Sequence, residues 1–256
     1  MRSRAYLRLS VQPRVHMSVG RLRAWLRPLR WTPLHPQWFM FRDQRRDRQW
    51  VGDRAHGRVL DIGCADGWAR GVLLHCDYVG LDYPTTASGL YRTRPEVFAD
   101  GASLPFAPSS FDTVLLLEVL EHVADAEGVL AEISQVLKPG GTLLISMPFL
   151  YPLHDAPHDY RRYTAPGLIQ MLSRAGLQPG TVLPRNAGFK TVALLSAIAC
   201  AEFVIEALRV RRWRLFLAPL LMLAIPLINI LGWLLALLGE GPMLASGHAT
   251  EAQKPR

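Results

Sequence analysis

Hydrophobic positions follow two rhythms through the middle of the chain and merge into an almost unbroken band near its end. Between residues 57 and 150, short β-rich runs (RVLDIG, YVGLD, EVFAD, FDTVLLL and GTLLISMP) each stop at turn residues. The stretches between them have helical spacing. In DAEGVLAEISQVL, residues Val129, Leu130, Ile133, Val136 and Leu137 share one face, and KPGG closes the segment. A second helix is predicted from Thr164 to Ala175, with Thr164 as N-cap, Pro166 in the first turn and Gly176 just past the end. Alternating β and α units predict an α/β fold: a doubly wound, mostly parallel sheet with helices on both faces.

The band comes later. TVALLSAIACAEFVIEAL is apolar apart from Glu202 and Glu206. After RVRRWR follows LFLAPLLMLAIPLINILGWLLALL, interrupted only by Pro219, Pro226, Asn229 and Gly232. That length could cross a bilayer. LQPGTVLP reads as a sixth strand, and LASGHATEAQKP near the C-terminus as a weak seventh. The band is then an apolar helical insertion whose two ends must both return to the domain. A single span would strand the last strand on the far side. Two spans would put RVRRWR outside, against the positive-inside rule. The consistent expectation is a hairpin lying in or dipping into the cytoplasmic leaflet, with Arg209, Arg211, Arg212 and Arg214 at the headgroups. The plainer reading is an apolar helical pair buried against the domain or a second copy of the chain.

Charge sharpens this picture. Residues 1–50 carry twelve Arg and two Asp, a balance of +10, out of +8 for all 256 residues; the rest therefore sums to −2. The basicity belongs to an N-terminal extension, in which Trp25, Trp31, Trp38, Phe39 and Phe41 are interleaved and Pro13, Pro28, Pro33 and Pro36 forbid one long helix. That extension either packs on the domain, partly disordered, or forms a membrane-surface arm. A near-neutral core with a basic tail argues for an anionic membrane surface and against nucleic acid. No apolar signal core follows the basic start. A transit-peptide reading is weakened by the chain-wide excess of Arg over Lys, 26 to 3. Cys64, Cys76 and Cys200 have no zinc or disulfide spacing and fit a reducing cytoplasm. The expected division is a basic extension over 1–50, a ligand-binding domain over 51–188, the apolar hairpin over 189–241, and a last strand and tail over 242–256.

The strongest chemical signal is RVLDIGCADGW. A strand ending in Asp61-Ile62-Gly63 turns through Cys64, Ala65, Asp66 and Gly67 into an expected helix, whose N-terminus and loop amides would face a ligand. It is not GxGxxG, which disfavours a nicotinamide cofactor. Asp82, followed by Tyr83, ends the next strand, where a carboxylate can accept from ribose hydroxyls. Asp100 ends the third strand, Glu118 the fourth, and LKPGGTLLISMP makes the fifth.

These five ordered motifs, over about residues 50–185, resemble the class I S-adenosylmethionine-dependent methyltransferases, in particular the small-molecule subgroup that includes quinone-biosynthesis enzymes. The resemblance implies S-adenosylmethionine as cofactor at the carboxyl ends of the first strands. Asp61, Gly63, Cys64, Ala65 and Gly67 would form the methionine-side loop. Asp82 and Tyr83 would lie at the ribose, Asp100 with Gly101 and Ala102 at the adenine, and Glu118 beside the cofactor. Ala65 stands where the family often has Gly.

Methyl transfer needs orientation and sometimes a base. His122, His154 and His158 are the candidates, and Tyr160, Arg161, Arg162 and Tyr163 the candidate wall for an anionic acceptor. A helical His154/His158 metal pair is opposed by Pro157 between them, so no metal is expected. The chain therefore reads as a methyltransferase acting on a small or lipid-linked acceptor at the cytoplasmic membrane face, with an oligomer through the apolar insert as an option. The alternative is a non-catalytic membrane-associated protein with a degenerate methyltransferase domain.

Overall fold

A computed structural model describes residues 27–91, 93–210 and 216–256. Residues 1–26, and Arg211, Arg212 and Arg214 of the expected headgroup cluster, lie outside the described residues, as does the Arg209 side chain.

The predicted strands form one sheet. They are β1 (Arg58–Ile62), β2 (Asp77–Asp82), β3 (Val97–Phe98), β4 (Phe111–Leu117), β5 (Leu137–Pro148), β6 (Gln178–Pro179), β7 (Leu183–Arg185) and β8 (Gly247–Gln253). Their order is β3-β2-β1-β4-β5-β8-β6, with β7 also on β8. The β3, β2, β1, β4 and β5 neighbours are parallel, and β8 runs antiparallel to β5, β6 and β7. The expected sixth strand is split into β6 and β7. Pro179 and Pro184 lack the N–H a continuous ladder needs, and Gly180 lies between the fragments.

Period-2 alternation assigns each strand's side chains to two cores. Leu60, Ile62, Val114, Leu116, Leu143 and Ile145 face α2 (Ala126–Val136) and α3 (Ala165–Arg174). Val59, Leu115 and Leu144 face Val51 of α1 (Trp38–Arg54) together with Ala69 and Leu73. Both faces are thus covered, as a parallel sheet requires. The caps follow the sequence: the Asp125 carboxylate accepts from Gly128 N, the Thr164 hydroxyl accepts from Gly167 N, and Gly176 takes φ +77°.

The boundary expected at residue 50 falls inside α1, which starts after Pro36 and continues to Arg54. Its Asp47 pairs with Arg185 at the end of β7, so this part of the basic extension is tied to the domain.

The apolar insertion forms α4 (Phe189–Val210) and α5 (Ala218–Leu235), both long and apolar enough to cross a membrane. It leaves the sheet after β7 and returns to it at β8. Its base is welded to the domain. Gly188 N donates to Leu244 O at 2.7 Å, and Trp38 and Phe39 pack on Ala193 and Leu194. Asn229, fully buried in α5, donates through Nδ2 to the carbonyls of Pro33 and His35 at 2.7 and 3.0 Å. Gly232 lets the helices touch: a Cβ there would lie 2.3 Å from that of Ala193. The outward face of α5 is different, with Leu220, Leu223, Leu227, Leu231 and Leu234 exposed.

Candidate active site

The glycine turn after β1 is laced to the end of β2. Gly63 N and Cys64 N both donate to Leu81 O, at 2.8 and 3.1 Å, and Ala65 N donates to Asp82 Oδ2 at 3.0 Å. Two departures from the sequence reading follow. These amides are spent on β2 rather than aimed at a ligand. Residues 64–76 also pass through successive turns instead of a regular helix, as Gly67 and Gly71 in the segment permit. The turn itself demands left-handed backbone: φ is +72° at Gly63, +49° at Ala65 and +72° at Gly67. A Cβ at Gly63 would approach Val119 Cγ2 to 2.5 Å, whereas nothing lies within 4 Å of one at Gly67, so a ligand can approach the backbone there.

Four carboxylates surround this turn. Asp61 is buried; Tyr78 donates its hydroxyl to Oδ2 at 2.5 Å, and burial pushes the acid up to about 7. Asp82 is also buried and also raised by burial, although Ala65 N and Tyr83 N donate to it. Asp100 is exposed at the end of β3 and accepts from Ala102 N at 2.9 Å, with Gly101 between them. Glu118 follows β4 at φ +56°, a conformation rare for a non-glycine residue. Its surface is solvent-accessible, yet protein encloses the carboxyl on most sides. That enclosure weakens the acid and raises its pKa to about 7, against a hydrogen bond from Ser146 and the charge of Arg162. Cys64 fills space at the turn, and burial first, then the nearby carboxylates, push its thiol up to about 12, so it is no nucleophile. Tyr83 is half exposed.

The strands β4 and β5 are parallel neighbours, so the segments that leave their carboxyl ends meet. Glu121 and His122 follow β4, and His154 follows β5. The His122 and His154 rings stand edge to face, 4.8 Å apart. Glu121 Oε1 lies 3.6 Å from His122 Nε2 and 3.8 Å from His154 Nε2. The Glu121 side chain is fully buried, and neither oxygen has a hydrogen-bond partner. Burial first, and then the charge of Glu118, hold this acid well above its ordinary range.

The loop PLHDAPHDYRRY supplies the outer layer. Asp159 takes Arg162 in a two-pronged ion pair and accepts from His154 N, which holds the aspartate down to about 2. Its Oδ2 also lies 3.3 Å from His154 Nδ1. His158 stands apart from the histidine pair: its ring bonds the Tyr160 hydroxyl, and its carbonyl accepts from His122 Nδ1–H at 2.8 Å. The expected acceptor wall needs revision. Arg162 is neutralised by Asp159, Arg161 donates to Ala124 O, and Tyr163 packs on the core; Tyr160 alone of the four is exposed without a core contact.

Sequence reasoning missed Glu121. The signal was its place one turn after Glu118 in LEVLEH, next to a histidine.

A methyltransferase-domain family model matches residues 60–145. The chain is 31% identical over 149 residues to a ubiquinone biosynthesis O-methyltransferase of Dinoroseobacter shibae, covering 48% of this chain and 60% of that protein. It is 29% identical over 134 residues to a demethylmenaquinone methyltransferase of Tropheryma whipplei, covering 48% and 56%. The chain thus spans a little over half the length of these relatives. A solved SAM-dependent methyltransferase of Thermotoga maritima shares the fold at 16% identity, with a TM-score of 0.53 over 94% of this chain and 98% of that one. Strand order, glycine turn and family match agree on a methyltransferase domain that includes residues 60–145.

Proposed function

We propose that the protein transfers a methyl group from S-adenosylmethionine to a small or lipid-linked acceptor at a membrane surface. The observation that carries the reading is the convergence of Asp61, Asp82 and Glu118 on the Gly63 turn, with Asp100 at the neighbouring strand end. Carboxyls that burial or enclosure makes weaker acids gain most from a cationic ligand, which favours their ionised form.

Bound cofactor supplies an electrophilic methyl group on a sulfonium. The chain's residues do the rest. Asp82 and Asp100 would hold the nucleoside end by accepting hydrogen bonds, the Gly67 backbone would admit the methionine end, and Glu118 would offer a carboxylate to the sulfonium. Tyr160 and His158 edge the acceptor side.

Two features support a lipid-linked acceptor and a membrane location. One is the leucine-rich outward face of α5. The other is that the Tropheryma whipplei relative is named for demethylmenaquinone, a lipid. We place the chain at the cytoplasmic leaflet. In a second reading the same apolar face joins two copies of the chain. In a third, favoured by the left-handed Ala65, the domain has lost its cofactor and acts only as a membrane-associated scaffold.

Calorimetry with S-adenosylmethionine decides first: no binding at millimolar cofactor removes the enzyme reading. Mass spectrometry of lipid extracts, with and without the gene, then looks for acceptors lacking one methyl group. Release from membranes by salt alone, without carbonate or detergent, would sink the hydrophobic anchor.

A further inference from the structure

Glu121 Oε1, His122 Nε2 and His154 Nε2 converge, with no hydrogen bond between Glu121 and either ring. His122 Nδ1 faces the His158 carbonyl at 2.8 Å, so that nitrogen carries the proton and Nε2 presents a lone pair. His154 Nδ1 faces only oxygen acceptors, Asp159 Oδ2 at 3.3 Å and Pro152 O at 3.4 Å, so its Nε2 is likewise bare. Both bare nitrogens point at Glu121 Oε1, 3.6 and 3.8 Å away. A proton does not bridge such gaps, because hydrogen bonds of this kind close at roughly 2.7–3.2 Å. Arg162 does not fill the role either: its two terminal nitrogens go to Asp159, its buried Nε has no partner, and neither Glu121 oxygen accepts a hydrogen bond.

The spacing suits a metal ion. Zinc–nitrogen and zinc–oxygen bonds of about 2.1 Å at a tetrahedral angle separate two ligand atoms by about 3.4 Å. The Glu121, His122 and His154 ligand atoms all lie within 4.8 Å of one another, so small side-chain adjustments bring all three into range. A second layer is also in place. His122 is oriented by a backbone carbonyl, and His154 by a carboxylate that Arg162 holds still. Fixing the ring nitrogen opposite the metal in this way is how histidine ligands are held in metalloproteins.

We infer that Glu121, His122 and His154 bind one divalent transition-metal ion of the zinc class. Two imidazoles and one carboxylate favour zinc, iron(II), cobalt(II) or manganese(II) over calcium. Three protein ligands leave a coordination position open, as in catalytic rather than structural sites. An acceptor hydroxyl bound there would lose its proton more readily. The site stands on these three side chains alone and does not depend on methyl transfer.

The test uses the full chain in detergent, stripped with chelator and dialysed. Zinc is titrated by calorimetry and cobalt(II) by visible absorption. One equivalent per chain with micromolar or tighter affinity is expected, with cobalt bands typical of a low-coordinate nitrogen and oxygen site. His122→Ala and His154→Ala should each weaken binding by on the order of 100-fold or more. Their side chains are only 24% and 30% exposed but lie outside the hydrophobic core, and circular dichroism verifies the fold. His158→Ala, which keeps its backbone carbonyl, should bind metal as the natural chain does. Stoichiometry far below one, or affinity unchanged in both ligand variants, overturns the inference. S-adenosylmethionine binding is measured on the same samples. Cofactor binding without metal binding defeats this inference alone, and metal binding without cofactor binding defeats only the methyltransferase reading.

Discussion

Tyr78 reaches across from β2 to donate its hydroxyl to Asp61 on β1, at 2.5 Å, beneath the glycine turn. The bond only partly offsets the burial of Asp61, which pushes the acid up to about 7 from its ordinary 3.8. The native state therefore holds a proton that the unfolded chain has released between those two values. Stability contributed by this group is complete below pH 3.8 and is lost as the pH rises through about 7. The shift corresponds to about 4 kcal/mol. Asp61→Asn should flatten the pH dependence and make the ligand-free protein more stable at mildly alkaline pH. Urea unfolding at several pH values, with both proteins, checks it; parallel curves would show that Asp61 titrates normally.

A cationic ligand needs that same group ionised. S-adenosylmethionine affinity should rise with pH up to about 7, approaching tenfold per unit below it, and then level off. Binding near neutrality should release protons. Calorimetry in two buffers of different ionisation enthalpy measures the release directly, and identical apparent enthalpies would contradict it.

Gly63→Ala should be costly on two counts. Its φ of +72° disfavours any side chain, and the new Cβ would lie 2.5 Å from Val119 Cγ2. Together these predict a loss of about 2–4 kcal/mol. Gly63→Ala/Val119→Ala should recover part of it, as a double-mutant cycle of unfolding energies would reveal. Strict additivity would mean that the two residues do not touch.

Ala65→Gly should do the reverse. The residue adopts φ +49°, and its methyl group makes that conformation unfavourable by about 1–2 kcal/mol. Glycine relieves the strain at some cost in unfolded-state entropy, so a net gain of about 0.5–1 kcal/mol is expected. Thermal unfolding decides, and a lower melting temperature would show that the alanine is accommodated without strain.

Asn229→Leu should loosen the hairpin. It strands the buried carbonyls of Pro33 and His35, each now bonded to the Asn229 amide, at about 1–3 kcal/mol per group. Limited proteolysis near residues 33–37 should accelerate while the distal domain resists. Unchanged cleavage would mean that the apolar packing alone holds the base.

Legibility in the sequence tracks locality. The strands β1, β4 and β5 could be read because their alternation and stop residues are local, and the caps Asp125 and Thr164 likewise. Asp61, Asp82, Asp100 and Glu118 were readable because each sits at a strand end. What escaped depends on neighbours in space. Glu121 and His154 are brought together only by the pairing of β4 with β5, so a local search for metal spacing paired His154 with His158, whose ring the fold turns to Tyr160 instead. The arginines of RRY looked free because Asp159 and the Ala124 carbonyl, which occupy them, declare nothing in the pattern. The docking of the hairpin rests on Asn229 meeting Pro33 and His35, nearly the whole chain away.

The place of β8 sets the order of events during synthesis. It lies inside the sheet, between β5 and the β6/β7 pair, yet it leaves the ribosome after every other strand of that sheet. Both apolar helices emerge before it. Until β8 emerges the sheet has a gap, so a surface that captured the hairpin in that interval would also fix where the domain is completed.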